Sequence, residues 1–343
     1  MRYNRFALVS RYDIIRATAS IMSKKIISFV IPCFNEEENV KYVYEALKAI
    51  ASKLKNYECE FVYVDNGSLD NTRGEIKKLT RKDSNVIGVF LSRNFGPESS
   101  VHAGLDHING DAAIIYESDL QDPPELVLKF VKKWEEGYDV VLGVRTKIED
   151  NFAMTFFRTS FYKILKAVSD IEIPVNSGSY SLMTRRVVDS MQSLPEKFRM
   201  MRGLRAWVGF KTAYITYHRR KRVRGKSSYN FFRYVKHAER SFFGFSYLPL
   251  DIMIYTGFLL VFFSFLFIVG YLLFFLFFGN PIKGAVTILV AIVFFGGIQL
   301  MAMSILGKYI QVIMEETKSR PVYIVDQILN SKRNKKRLYS HGK

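Results

Sequence analysis

Two long stretches of the chain carry no charged side chain: Ile252 to Asn280 and Gly284 to Gly307. A helix needs about 20 apolar residues to cross a bilayer core of ~30 Å, and both stretches meet that length. Core helices of soluble proteins rarely run so far without a charge. Gly279-Asn280-Pro281 supplies a turn between them. The pattern predicts a transmembrane hairpin, with helices over residues 252–279 and 284–307 of a 250–310 membrane segment. The connecting loop holds only Lys283, whereas Lys332, Arg333, Lys335, Lys336 and Arg337 crowd a basic tail over 311–343. Positive flanks stay cytoplasmic, so both termini are expected on that face.

Upstream of the hairpin the apolar runs shorten. β-rich runs at Ile26–Pro32, Phe61–Val64, Val86–Leu91, Ala112–Tyr116 and Val140–Leu142 alternate with helical periodicity over Glu37–Lys55, Thr72–Lys82 and Pro124–Glu136. Asn35, followed three residues later by Glu38, reads as an N-cap with its capping-box partner. This alternation predicts an α/β domain with a mostly parallel sheet, over residues 23–228. Ligands of such sheets bind at the C-terminal ends of the strands. Residues 1–22 lack the long apolar run of a signal peptide and are expected to be a mobile extension, with Met22 an alternative start.

Composition narrows the classes. Of 343 residues, 50 are Lys or Arg and 32 Asp or Glu, a formal net charge of +18 on a chain that is 49% hydrophobic. Such apolar content excludes disorder, and two cysteines exclude a disulfide framework. Cys33 and Cys59 read as buried apolar thiols in a reducing compartment. The positive charge is concentrated in Arg219-Arg220-Lys221-Arg222-Val223-Arg224-Gly225-Lys226. That run reads either as a solvated or anionic-lipid face, or as cations, Arg222 and Lys226 among them, that bind phosphate. Phe231, Val235, Ala238, Phe242 and Phe245 recur at helical spacing with Arg233, Lys236, His237 and Arg240 opposite, which predicts an interfacial helix over 229–249. Phe157, Phe161, Ile164, Leu165 and Val168 form a second stripe, equally consistent with a core-facing helix. Charge massed beside membrane spans needs only anionic lipid, so no nucleic-acid partner is expected.

The chemistry-bearing residues follow the strands. Pro32-Cys33-Phe34-Asn35-Glu36 closes the first, Asp65-Asn66-Gly67-Ser68-Leu69-Asp70 the second, and Glu117-Ser118-Asp119-Leu120-Gln121-Asp122-Pro123-Pro124-Glu125 the fourth. Each alone is compatible with an ordinary turn. Three in order, each at a strand end, point to a site. Glu117 and Asp119, two apart on a strand end, aim two carboxylates into one cleft. With no Cys/His cluster nearby, oxygen ligands argue for Mg2+ or Mn2+ rather than zinc.

These segments, with LSRNFGPESSVHAGLDHINGD, GYDVVLGVR, GKSSY, FGFSYLPL and GGIQLMAMSILGKYIQVIMEETKSRPVYIV, resemble family 2 glycosyltransferases of the GT-A fold. More narrowly, the chain resembles polyisoprenyl-phosphate glycosyltransferases: bactoprenol glucosyltransferases of O-antigen modification and dolichol-phosphate mannose synthases. The likeness runs from about Ser28 to Val325. It implies that Pro32, Phe34, Glu36, Asp65 and Ser118 hold the donor nucleotide. It also implies that Asp119 binds the metal bridging the donor diphosphate, with Glu117 and Gln121 close by. Arg145 is placed either to meet phosphate oxygens as a catalytic cation or to stand as a surface charge.

Several positions depart from that pattern. Asn66 stands for the second Asp of an Asp-Asp-Gly-Ser element, and Glu117 for the first Asp of Asp-x-Asp. Asn176-Ser177-Gly178-Ser179-Tyr180 lies where bactoprenol enzymes carry Asp-x-Gly-Asp-Phe-Arg, with Ser181 in place of the Arg. No general base is therefore assigned, and Ser179, Arg222 and Lys226 are candidates for acceptor phosphate or diphosphate. The implied reaction is transfer of a hexose, glucose from UDP-glucose by first choice, to undecaprenyl phosphate at the bacterial inner membrane. UDP-N-acetylglucosamine, UDP-galactose and GDP-mannose are alternative donors. A homo-oligomer, up to a tetramer, joined through the hairpins is expected. A non-catalytic sugar-nucleotide-binding scaffold is the rival reading that the substitutions leave open.

Overall fold

The structure, a computed structural model, describes residues 24–146, 177–197, 199–220, 248–278 and 285–331. Among these, β1 (Lys25–Cys33), β2 (Tyr57–Asp65), β3 (Val86–Leu91), β4 (Ala112–Ile115), β5 (Val140–Arg145), β6 (Ser177–Thr184), β7 (Thr212–Tyr217) and β8 (Val325–Leu329) form one sheet. The strand order is β7-β5-β6-β4-β1-β2-β3-β8. Four neighbouring pairs, β1–β2, β1–β4, β2–β3 and β5–β7, are parallel. β6 runs antiparallel between β4 and β5, and β8 antiparallel to β3. This is the mostly parallel α/β sheet that the apolar runs predict.

Period-two alternation on β1 explains why its run is apolar on both faces except at Ser28, which is buried and donates to Glu60 at 2.6 Å. Ile27, Phe29 and Ile31 enter one core, against α1 (Val40–Ala51) and α4 (Leu126–Glu135). Val30 enters the other, with Val62, Val64 and residues of α3 (Pro97–Asp106). A strand covered on both faces has no polar side to show. α1 buries Val40, Val43, Tyr44, Leu47 and Ile50, the three-and-four spacing of an amphipathic helix. α2 (Thr72–Lys82), α5 (Arg185–Ser193) and α6 (Met201–Trp207) complete the layers.

The predicted cap of α1 is displaced. The helix starts at Val40, with Asn39 at its cap and no side-chain cap bond. Asn35 instead sits in left-handed backbone (φ +55°), and its Oδ1 accepts the Leu69 N–H at 2.8 Å. Its side chain is spent on tying the first strand-end loop to the second.

From β1 the chain moves to β2 and β3 on one side, and later to β4 on the other. The order therefore reverses between β1 and β4, and a crevice opens at their C-terminal ends.

Beyond the sheet come α7 (Leu248–Phe278) and α8 (Ala285–Thr317). Ile252–Tyr271 and Phe294–Thr317 are long and apolar enough to cross a membrane, and neither is buried inside the protein. α8 runs on to Thr317, past the end of the uncharged stretch, and Leu248 and Pro249 already belong to α7. Glu316 accepts the Lys197 backbone N–H at 2.9 and 3.0 Å, which seats the end of α8 on the α/β domain. The chain then rejoins the sheet as β8, inside the segment read from sequence as a basic tail. A five-residue, half-polar edge strand offers too little alternation to be seen in advance.

Cys33 is buried and Cys59 only half-buried. Burial pushes both thiols up, Cys59 to about 11, so neither is a reactive thiolate at neutral pH. The extension 1–22, the stripe from Phe157 to Val168, residues 229–247 of the interfacial helix, the turn at Gly279-Asn280-Pro281 and the basic cluster from Lys332 lie outside the described residues.

Candidate active site

Ser118, just after β4, donates to the Pro32 carbonyl at 3.0 Å and joins the two strand ends that frame the crevice. It is buried, and its hydroxyl is committed to this framework. Leu120 follows in left-handed backbone (φ +56°), a conformation that a side chain disfavours and that tertiary contacts must hold. Asp119 Oδ1 accepts the Gln121 N–H at 3.2 Å within this turn.

Three carboxylates from this segment meet one guanidinium. Arg219, two residues past β7, places Nη2 2.6 Å from Glu117 Oε2 and 3.2 Å from Asp119 Oδ2. Its Nε lies 3.3 Å from Asp122 Oδ1. Arg145, at the end of β5, stands opposite Tyr217 in the parallel β5–β7 pair. That register brings Arg145 Nη2 within 3.8 Å of Glu117 Oε2, while its Nε donates to the Tyr217 hydroxyl at 3.3 Å. Tyr217 in turn donates to Asp122 Oδ1 at 2.6 Å. The hydroxyls of Tyr116 and Tyr180 donate to the carbonyls of Asp122 and Pro123 at 2.7 and 2.9 Å. Buried tyrosines thus hold the acidic turn from below.

Three acids against two arginines leave the cleft short of positive charge. Asp119 is pushed up to about 6, first by burial and then by Glu117, with Arg219 opposing. Asp122 is raised too, by burial and Glu117. Its Oδ2 is buried without a hydrogen-bond partner. An oxygen-only, negatively charged site of this kind fits a hard divalent cation. Among the described residues no three His, Cys, Asp or Glu side chains stand where they could hold a metal ion together. The protein would therefore supply part of a coordination shell, the manner in which Mg2+ is usually held beside substrate phosphates.

The other rim follows β1 and β2. Asp65 is fully buried; its Oδ1 accepts the Ser68 N–H at 3.0 Å and its Oδ2 the Arg73 Nε–H at 3.1 Å. Glu36 accepts from Asn39 Nδ2 at 2.6 Å, and its N–H donates to Thr72 Oγ1 at 2.8 Å. Phe34 lies half-buried between Cys33 and this loop. Gly67 has φ +68°, and a Cβ there would stand 2.4 Å from the Arg93 carbonyl carbon. Only glycine fits the turn.

Pro32, Phe34, Glu36 and Asp65 thus flank one side of the crevice, and Glu117, Asp119 and Gln121 the other. Ser179 is half-buried near the start of β6, and a Cβ on the adjoining Gly178 would stand 2.8 Å from Arg145 Nη2. Arg222, Lys226 and Asn176 lie outside the described residues. The structure adds Asp122, Arg219 and Tyr217. Asp122 was visible as a third acid in the fourth strand-end fragment. Arg219 was hidden inside the basic run, because without β7 nothing marks which cation follows a strand.

Residues 28–191 match the family described as Glycosyl transferase family 2. An uncharacterized glycosyltransferase of Synechocystis sp. is 35% identical over 303 residues, 88% of this chain and 95% of that one. The bactoprenol glucosyl transferase of Shigella phage SfX is 38% identical over 300 residues, 87% of this chain and 98% of that one. Among solved structures, a glucosyl-3-phosphoglycerate synthase from Mycobacterium tuberculosis in complex with Mn2+, UDP and glucosyl-3-phosphoglycerate has a TM-score of 0.43 at 18% identity. That likeness covers 70% of this chain and 83% of the other. With relatives of this identity aligned along nearly their whole length, and acids grouped at the switch point of a mostly parallel sheet, the chain belongs to glycosyl transferase family 2.

Proposed function

We propose that this glycosyltransferase is a membrane-bound, inverting enzyme that moves a hexose onto undecaprenyl phosphate, for modification of a cell-envelope glycan. Glucose from UDP-glucose is the sugar and donor of first choice. The observation that carries the reading is the extent of the likeness to the phage bactoprenol glucosyl transferase. At 300 aligned residues it is too long to leave out both apolar helices.

α7 and α8 cross the bilayer as a hairpin. Supporting this, the chain enters α7 after β7 and returns from α8 to the same sheet as β8, so both outer helix ends lie on the catalytic side. The charge asymmetry of the flanks makes that side the cytoplasm.

A phosphate monoester has a second pKa near ~6, so the lipid acceptor arrives as an anionic nucleophile. It needs no general base, and none is assigned. Its oxygen attacks the anomeric carbon, the bond from that carbon to the diphosphate oxygen breaks, and the electron pair leaves with UDP. One displacement inverts the centre. Asp65 and Glu36 hold the nucleoside, and Arg145 and Arg219 bind phosphate oxygens as charge develops on the leaving group. Asp119, with Glu117 beside it, would hold a divalent cation, Mg2+ or Mn2+, which neutralises the diphosphate when bound.

The test is transfer of label to lipid by the purified full chain, with undecaprenyl phosphate, Mg2+ or Mn2+, and labelled UDP-glucose, UDP-N-acetylglucosamine, UDP-galactose and GDP-mannose in turn. One donor should label the lipid, and Asp119→Ala should abolish it. Labelling by a donor other than UDP-glucose would change the sugar and keep the class. No labelling by any donor would overturn the proposal.

A further inference from the structure

Each nitrogen of the partly exposed Arg73 guanidinium has an acceptor within the protein. Nε donates to the buried carboxylate of Asp65 at 3.1 Å, and Nη2 to the Leu91 carbonyl at the end of β3 at 3.1 Å. Nη1 donates at 2.9 Å to Asp326, which lies on β8. The guanidinium carbon lies over the Phe90 ring, 5.1 Å from its centroid. A fork fixed by three acceptors and a ring has one orientation, and a lysine could not reproduce it.

β8 is itself firmly docked. The Ser92 N–H donates to the Ile324 carbonyl at 3.0 Å, and Asn330 Nδ2 donates to the carbonyls of Thr80 and Val86 at 2.6 and 3.0 Å. The Tyr323 hydroxyl bonds the Asp106 carboxylate.

We infer that Arg73 is a positioning residue for the donor nucleotide, and that Asp326 makes this positioning depend on the strand returning from the membrane helices. The inference rests on Asp65 holding the nucleoside. Asp65 touches the ligand, Arg73 fixes the Asp65 carboxylate, and Asp326 fixes Arg73. The pocket is complete only when the segment after α8 has docked on the edge of β3.

The experiment measures UDP affinity by calorimetry and, in parallel, KM and kcat for the sugar nucleotide, on the full chain in detergent. The Arg73–Asp326 pair is partly exposed, so Asp326→Asn should weaken UDP binding about two- to five-fold. Donor KM should rise in step, with kcat and the KM for lipid phosphate unchanged. Arg73→Gln should weaken UDP binding about tenfold, and adding Asp326→Asn to it should weaken binding no further. Asp326→Glu should recover most of the loss, and Gln327→Ala, on the same strand, should have no effect. Asp65→Asn separates the two ideas. If it leaves UDP affinity intact, the nucleoside reading fails. If it weakens UDP while Asp326→Asn does not, or if Asp326→Asn lowers kcat and raises both KM values together, the proposed positioning role is overturned.

Discussion

Asp119 lies in the folded chain at a cost that substitution should release. Its carboxyl is displaced from the ordinary value of 3.8 to about 6, chiefly by burial and then by Glu117, and the opposing pull of Arg219 is already included. A raised carboxyl favours folding while protonated, below the unfolded value, and loses that contribution as pH rises through the folded value. At about 1.4 kcal/mol per unit, full ionisation near pH 7.5 costs the metal-free protein about 3 kcal/mol. Asp119→Asn keeps the shape and an oxygen for the Gln121 N–H but carries no charge. In detergent with a chelator, it should melt roughly 6–10 °C above the parent at pH 7.5. The gap should shrink to about a third at pH 4.5, where the folded carboxyl is protonated while the unfolded one, with its lower value, is still mostly ionised. Excess Mn2+ should raise the melting temperature of the parent and not of the variant. A variant that melts below its parent at pH 7.5, or a gap equal at both pH values, would refute the reasoning. Asp119 would then be a structural carboxylate satisfied by Arg219 rather than one kept for a cation.

Two further outcomes follow from the same geometry. Arg219→Ala removes the guanidinium that compensates all three acids, so Mn2+ binding without nucleotide, read by electron paramagnetic resonance, should tighten; transfer to lipid should fall at least about tenfold as a diphosphate contact is lost. If neither changes, the cluster is not the metal and diphosphate site. Gly67→Ala combines φ +68° with a Cβ 2.4 Å from the Arg93 carbonyl carbon. It should cost about 1–3 kcal/mol in denaturant unfolding and raise the donor KM, because the strained turn carries the backbone beside Asp65; unchanged stability would show that the 65–70 loop is not fixed as described.

Much of this was legible in the chain because burial writes itself into composition. β1 to β5 are apolar runs, since helices cover both faces of the sheet there, and the acids that follow them mark the crevice. β6 was not legible: Ser177-Gly178-Ser179-Tyr180-Ser181 has no strand-like run, and it is fixed only by pairing with β4 and β5. β7 and β8 are the two edge strands, where only two of eleven residues are buried and the period is blurred. β8 is also paired with β3 across more than two hundred residues, so no local signal records it. Arg219 shows the same limit at the site. Eight residues of nearly unbroken positive charge do not say which cation turns inward, and only the position of Tyr217 on β7 decides it.

The positions that depart from the expected family pattern have physical compensation within the fold. Asn66 accepts the Phe95 N–H at 3.0 Å and donates to the Gly96 carbonyl at 3.0 Å. A carboxylate there could accept the first bond but not make the second, and it would add a buried charge beside Asp65. Ser181 receives Arg205 Nη1 at 2.9 Å, and Arg205 Nη2 donates to the Gly178 carbonyl at 3.3 Å. Where the resembling enzymes carry an arginine on the strand, a guanidinium here reaches that position from α6. Burial lowers Arg205 only to about 10, so it stays charged at neutral pH. Ser179 then has a reason of its own. An incoming lipid phosphate bears a charge of about −1.5 to −2, and a carboxylate about 4 Å away would repel each unit by about 4 kcal/mol at an effective dielectric of 20. The cleft already holds Glu117, Asp119 and Asp122 against two arginines. On the proposed direct displacement the acceptor needs no base, and a neutral serine at 179 adds no further negative charge to this element, so losing both acids from it is compatible with turnover.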